Sequence, residues 1–306
     1  MLDRRGAMAL SALAIGSPEL PAARCSGWVG PVPAATFGIQ IYDDEAARRF
    51  TLQAIEAGFR SFFTSPEAGN QRGFAKALRE SGVPRNEIFI AGSLLSDDAV
   101  SFRSAYHATA AALDASLSDL SAGGVETLDL LMLERPARTD GAIHGQWDAM
   151  QEGRATAGAS LLGVCNFDLD DLDLICDGNG SGPAVNQVPF SLGIRMDHAR
   201  FVRDHSTRGV IIQAWGPLGG PDALIPRAVL SQAAALGQQL QPQRSAYAVA
   251  LRWILQQGAG FVVHSRVYSH LKEDLDALDF DLRIEDVQSL SRAAASGFAT
   301  QTDSRA

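Results

Sequence analysis

Short runs of apolar, β-branched or aromatic residues alternate along the chain with longer stretches whose apolar positions recur every three or four residues. The runs at 35–41, 60–64, 87–92, 127–133, 160–164, 184–188, 209–214 and 260–264 have the length and composition of strands, and the stretches between them that of helices. At 43–57 an Asp stands at the capping position and Gly58 follows the last turn. At 101–120, Leu113, Leu117 and Leu120 share one face, and 245–257 carries Ala248, Leu251, Trp253 and Leu255. Strand then helix predicts parallel strands with right-handed crossovers. Eight such units close a barrel where five or six would leave an open sheet, so the expected fold is α/β, a (β/α)8 TIM barrel. Residues 270–278 supply the eighth crossover and 284–294 an extra C-terminal helix against the wall. The polar stretch 237–244 predicts a loop. No linker or charge block divides the chain, so a single domain is expected over 26–300, with a short polar tail at 301–306.

Composition narrows the picture. With 46% hydrophobic and 20% charged residues among 306, the chain can bury a sizeable core. A net charge of −9 without clustered Lys and Arg argues against a nucleic-acid or anionic-membrane surface. Cys25, Cys165 and Cys176 fit neither a disulfide framework nor a zinc site, and no metal is expected. Residues 1–25 differ from the rest: Arg4-Arg5 precede the apolar run from Ala7 to Gly16, and small residues follow at Pro21-Ala22-Ala23. That order suits an export or organelle-targeting signal, although Asp3 and Glu19 are acidic and the run is short; a flexible extension is the other reading. Ten apolar residues fall short of the roughly 20 that cross a bilayer, so no integral membrane association is expected and the cytoplasm is the default location.

Several short motifs stand in a telling order. Gly58-Phe59-Arg60-Ser61-Phe62-Phe63-Thr64 leads to Gly69-Asn70. Pro84-Arg85-Asn86-Glu87 precedes Phe89-Ile90-Ala91-Gly92-Ser93, and Asp129-Leu130-Leu131-Met132-Leu133-Glu134-Arg135-Pro136 follows. Then come Gly163-Val164-Cys165-Asn166-Phe167, Asn186-Gln187-Val188, Ala214-Trp215-Gly216-Pro217-Leu218-Gly219 and Leu251-Arg252-Trp253. Singly each is weak; in this order and spacing they resemble the aldo-keto reductases. The resemblance implies a barrel that binds a reduced nicotinamide cofactor and acts on a small-molecule substrate. It also places the family's catalytic Asp, Tyr, Lys and His at Phe63, Ala68, Ser93 and Glu134. Ala68 has no proton to give, Ser93 is no ammonium, and Phe63 cannot pair with one. All four positions fall at or just after strand ends, where such barrels hold their sites.

The cofactor positions are better kept. The resemblance puts the nicotinamide carboxamide at Asn166 and Gln187, each with a donor and an acceptor. Cys165 stands for a Ser and is a weaker donor, Trp215 for the Tyr that stacks on the ring, and Leu218 keeps the loop on the pyrophosphate side apolar. At the adenine end, His264-Ser265 and His270 replace residues that include two permanent cations, and Glu273 matches an adenine contact. Histidine is mostly neutral at pH 7, so up to two charge-assisted contacts are lost. Arg266 and Lys272 lie near enough in sequence to compensate, while Asp274 adds a negative charge. The expectation is NADP(H) or NAD(H) held with weakened affinity.

Substitute acids are few. Tyr42, after the first strand, reads as a surface-loop Tyr, or as one leaning over the mouth. Glu134, among apolar neighbours such as Phe63 and Leu133, is the alternative proton donor; otherwise it pairs with Arg135 or Arg138. Three functions stay open: a barrel that binds cofactor without standard carbonyl reduction, an oxidoreductase with Glu134 as a rebuilt acid acting on C=C or carbonyl groups, and a non-redox small-molecule enzyme or binder. The last would use a pocket emptied at Ala68 and lined by Phe62, Phe63 and Trp215.

Overall fold

The computed structural model describes residues 27–176, 182–220 and 224–296. The proposed targeting segment 1–25, with Cys25, and the tail 301–306 lie outside them. Two short strands, β1 (Trp28–Val29) and β2 (Val32–Pro33), form an antiparallel hairpin. Eight parallel strands follow: β3 (Ala35–Gly38), β4 (Ser61–Thr64), β5 (Phe89–Leu94), β6 (Leu130–Leu133), β7 (Leu161–Cys165), β8 (Val185–Pro189), β9 (Ile211–Trp215) and β10 (Gly260–Val263). They pair in sequence order, and β10 closes the ring on β3 through Phe261, Val262 and Val263 opposite Ala35, Thr36 and Phe37.

The helices are α1 (Asp44–Ala57), α2 (Gln71–Ser81), α3 (Phe102–Ala122), α4 (Asp140–Gly153), α5 (Leu169–Ile175), α6 (His198–Ser206), α7 (Arg227–Gln239), α8 (Ala246–Gln256), α9 (Tyr268–Asp276) and α10 (Ile284–Ser296). Local chemistry sets their starts. Asp43 accepts from the Ala46 N–H at 2.8 Å, Ser245 from Ala248 at 3.1 Å, and Ser101 forms a reciprocal box with Ser104. The expected loop at 237–244 is corrected at its start, because α7 continues to Gln239. The strand expected to reach Ile41 ends at Gly38, since Ile39 makes one last bond to the Phe63 carbonyl before the chain turns into α1.

Alternation along each strand divides the apolar residues into two cores. Inside the ring Phe63, Ala91, Leu130, Met132, Cys165, Val185 and Val262 cluster with Val32 of the hairpin, which stops the N-terminal end. Outside, the strands pack on helices: Phe62 meets Phe74 of α2 at 5.7 Å between ring centres, and Trp253 of α8 stacks on Phe190 at 5.6 Å. Phe62 therefore belongs to the outer layer and does not line the mouth as the third functional reading required.

The pairing of α3 with α4 depends on Gly145, where a Cβ would land on the backbone carbonyl of Phe102. Gly145→Ala is expected to lower stability by about 1–3 kcal/mol through that overlap, against a gain of under about 1 kcal/mol in helix propensity. Urea unfolding monitored by circular dichroism measures the balance.

Candidate functional site at the carboxyl ends of the strands

The mouth is built from the turns that follow β3 to β10. After β4, Ser65 accepts from the Glu67 N–H at 3.3 Å and starts the single turn Pro66–Ala68. Asn70, fully buried, donates to the carbonyls of Ile39 at 2.7 Å and Tyr42 at 2.8 Å, locking the β3–α1 loop against this turn. Phe63 is 1% exposed and fills the ring interior. Ala68 is half-buried on the turn.

Ser93 and Glu134 meet directly. The buried Ser93 hydroxyl donates to Glu134 Oε2, with the Thr64 carbonyl a distant second acceptor at 3.5 Å. The Glu134 N–H is held by the Leu94 carbonyl at 2.8 Å. The ion pairs expected for Glu134 go elsewhere: Arg135 binds Glu67 at 3.1 Å and Asp97 at 3.7 Å, and Arg138 binds Asp98 at 2.6 Å. Those longer side chains reach over the rim to neighbouring loops, so the carboxylate is left facing Ser93.

The chain of contacts continues around the mouth. Asn166 donates through Nδ2 to the Glu134 carbonyl at 3.1 Å and accepts at Oδ1 from the Trp215 indole N–H at 2.9 Å. Its backbone has φ 61°, a left-handed value that Asn tolerates better than most residues. Asn166 is exposed at the mouth and Trp215 is 39% exposed. Gln187 is placed differently. It is buried, and its Nε2 donates down the barrel to Gln213 Oε1 at 2.9 Å. Gln213 in turn donates to Thr36 at 3.2 Å, and Thr36 shares a hydrogen bond of 2.8 Å with Ser61. Asn166 and Gln187 thus adjoin through backbone, Asn166 N–H to Gln187 O at 2.9 Å, while their side chains part. Gln213 was missed from sequence; its inward parity on β9 was the available signal.

Other expected site residues divide likewise. Cys165 is buried in the inner cluster, and burial, then the charge of Glu134, pushes its thiol well above the usual range. Leu218 is half-buried and leans on the outer core. Tyr42 is neither on the surface nor over the mouth. It is 3% exposed, lies nearly parallel to Phe37 at 6.1 Å, and donates to the Ser265 carbonyl at 3.1 Å; burial pushes its phenol up to about 12. The apolar neighbours Phe37 and Phe50 draw it in. Ser265 closes a turn with Val267, His270 is exposed at the start of α9, and Glu273 is half-buried. Burial lowers the basicity of His264 against a hydrogen bond to the Gly38 backbone, so the imidazole is neutral at neutral pH. Of the two compensating cations, Lys272 donates to the Ala57 carbonyl at 3.2 Å, whereas Arg266 is exposed with its guanidinium 5.9 Å from the Tyr42 ring centre.

A cavity of about 300 Å3 lies at the other end of the ring, beside Trp28, Phe59, Arg60 and Phe89. Its charged groups serve the fold, Arg60 binding the Ile55 and Phe59 carbonyls and Asp129 binding Arg85 and the Ile90 N–H. Among the described residues no group of three or more His, Cys, Asp or Glu is arranged to hold a metal, and no helix is long and apolar enough to cross a membrane.

Comparison with known proteins decides the lineage. The model of the aldo/keto reductase family matches residues 34–295. The chain belongs to the aldo/keto reductase family. An aldo-keto reductase of Mycolicibacterium vanbaalenii is 30% identical over 259 residues, covering 85% of this chain and 87% of the relative. One from Mycolicibacterium paratuberculosis is 30% identical over 258 residues, covering 84% and 85%. The crystal structure of an aldo/keto reductase from Brucella melitensis superposes with a TM-score of 0.72 at 27% identity, covering 85% of this chain and 95% of the other. An aldo-keto reductase enzyme from a Medee basin deep-sea metagenome library shares the fold, with a TM-score of 0.75 at 22% identity over 87% and 92% of the two chains. As an aldo/keto reductase the chain is of NAD(P)H-dependent oxidoreductase lineage, with small-molecule substrates.

The residues present suit part of such a cofactor. The part-exposed Trp215 indole offers a stacking face, Asn166 beside it keeps a second N–H and a second lone pair, and buried polar atoms without partners remain at Gln40 and His264. For the charged part there are Lys272, which already donates to the Ala57 carbonyl, and the exposed Arg266, while Asp274 lies buried in α9.

Asp274 is 5% exposed, and burial, then the neighbouring Glu273, pushes its carboxyl from 3.8 up to about 7. An acid whose folded pKa is raised leaves stability intact below the unfolded pKa near 4 and erodes it as pH rises through about 7, because the native state then holds the extra proton. Asp274→Asn is therefore expected to stabilise the protein at pH 8 by an amount on the order of a few kcal/mol, fading toward pH 4. Thermal melts of both proteins across that range test the slope; a pH-independent difference would refute it.

Proposed function

We propose that this aldo/keto reductase binds a reduced nicotinamide dinucleotide, with weakened affinity, and does not perform standard carbonyl reduction. The observation that carries the reading is the Ser93–Glu134 contact beside Phe63 and Ala68, where the family's acid and its cation would stand. A bound cofactor supplies a hydride. This chain's residues supply the rest: Trp215, steadied by Asn166, presents a flat face to the ring, and Asn166 offers its spare N–H and lone pair to an amide. Phe63, buried among Met132, Cys165 and Val262, keeps water from the interior. None of Phe63, Ala68 and Ser93 can hand a strong acid's proton to a carbonyl oxygen. Missing general-acid help removes about 10²–10⁴-fold and missing polarisation of the oxyanion about 10²–10³-fold, so aldehyde reduction is expected about 10⁴–10⁷-fold slower than in an intact site.

Titration with NADPH and with NADH, read by tryptophan quenching and energy transfer to the reduced ring, tests the binding. Saturable quenching that weakens in Trp215→Phe is the expected result. No saturable signal at millimolar cofactor would remove the reading and return the pocket to non-redox ligands.

One contact favours a second reading, an oxidoreductase in which Glu134 is the acid. Glu134 is half-buried at the mouth, its backbone pinned on both sides by Leu94 and Asn166 and its carboxyl fixed by the Ser93 hydroxyl, so it is the one acidic side chain held in place there. A hydride to an activated C=C bond then needs only one proton at the neighbouring carbon. Glu134→Gln is expected to abolish turnover of an enone while cofactor quenching persists; equal rates in the two proteins would exclude the role.

A further inference from the structure

The cavity of about 300 Å3 at the N-terminal ends of the strands has two unlike walls, and nothing at the mouth depends on it. One wall is apolar. Trp28 of the hairpin meets Phe89 at 6.0 Å between ring centres with the planes at 88°, and Phe59, Leu275 and Leu278 complete the lining. Trp28 is 50% exposed and Phe89 only partly covered, so this corner turns flat apolar surface toward water. A third flat ring laid on one of these two meets the other edge-on, and both arrangements are ones that aromatic pairs favour. Gly27 keeps the entrance open, since a Cβ there would meet nothing within 4 Å. The other wall is Arg60. Its Nη1 donates to the Ile55 and Phe59 carbonyls at 2.9 and 2.8 Å, which fixes the guanidinium at the end of α1. The N–H groups on Nε and Nη2 have no partner among the described residues, and no carboxylate there pairs with Arg60. That free edge is a fork able to hold both oxygens of a carboxylate. Two acids border the cavity. Asp129 is paired with Arg85 at 2.8 Å, whereas Glu87 is exposed and has no ion pair among the described residues. Glu87 repels a second negative charge, which favours a monocarboxylate over a phosphate.

We propose that this floor cavity is a second ligand site, which takes a small flat aromatic monocarboxylate with its ring in the Trp28–Phe89 corner and its carboxylate on the free edge of Arg60. The volume is at the lower end of that found for small-molecule pockets. The site lies at the opposite end of the ring from the mouth, so it stands or falls independently of dinucleotide binding. Trp28 belongs to the hairpin that stops the barrel and Arg60 is tied to the end of α1, so an occupant bridges the two elements and stabilises the folded chain by mass action.

The probe is 2-naphthoate, titrated calorimetrically into the full chain beside its neutral analogue 2-naphthamide and inorganic phosphate. Naphthoate is expected to saturate, with the amide about 10–100-fold weaker for want of the charged hydrogen bonds to the guanidinium. The place is read in the native protein from the indole N–H resonances: that of Trp28 is expected to shift along the binding curve while that of Trp215 at the mouth stays fixed. Trp28→Ala removes a half-exposed side chain and is expected to weaken naphthoate about tenfold. Arg60→Lys keeps the charge and loses the fork, and is expected to weaken naphthoate about 5–10-fold while leaving the amide unchanged. Circular dichroism checks that both variants fold, and the acid-against-amide comparison in the native protein needs neither. Amide bound as tightly as acid, a response at Trp215 in place of Trp28, or a Trp28 resonance that moves with phosphate overturns the proposal. So does the absence of saturable naphthoate binding at millimolar concentration; sedimentation at rising protein concentration then shows whether the aromatic corner is instead a contact between copies of the chain.

Discussion

Closure of the ring by β10 on β3 is the constraint from which the site follows. Once eight strands are tied in a circle, the pleat dictates which side chain of each faces inward, and a residue cannot change sides without a slip in register. Phe63, Ser93, Gln187 and Gln213 are thereby committed to the interior, and Phe62 and Asn186 to the helical layer, where Phe62 meets Phe74 and Asn186 binds the Phe167 carbonyl. The mouth is whatever the last inward residue of each strand provides. Here it provides an aromatic ring, a hydroxyl, a thiol and amides, with Glu134 the one acid among them.

The exchange of charge for neutral polarity is internally consistent. An ammonium at position 93 would have only Glu134 beside it as a counter-ion, and burying the pair would have been costly. With a serine at 93, Glu134 keeps a donor of its own, and the residues between mouth and floor are linked by amide and hydroxyl bonds through Gln187, Gln213, Thr36 and Ser61. Arg135 and Arg138 serve outer loops instead of the pocket; such exposed pairs contribute at most about 1 kcal/mol each.

Much of this was legible in the residues. The eight strands follow from apolar runs broken by capped helices, and Asp43, Ser101 and Ser245 mark helix starts because short polar side chains reach a backbone N–H two or three residues on. The hairpin 28–33 escaped notice, since strands of two residues carry no periodicity. Tyr42 was misplaced because a tyrosine in a loop reads as exposed, whereas Phe37, Phe50 and the Ser265 carbonyl come from elements distant in sequence. Glu134 was weighed against adjacent arginines, but its partner sits on the neighbouring strand, 41 residues away. Pairings across strands are set by register, and register is not written in either segment alone.

Tyr42 also bears on how the ring holds together. A (β/α)8 chain has one place where first and last units meet with no connecting segment, and here that join runs between β3 and β10. Asn70 grips the carbonyls of Ile39 and Tyr42, and the Tyr42 hydroxyl grips Ser265 beyond β10. The join is stitched at its rim as well as along its ladder, so the barrel is a hoop with a riveted overlap instead of a clasp. Thermal breathing would then concentrate elsewhere around the circumference, and the two walls facing Gly38 would keep their spacing while ligands come and go.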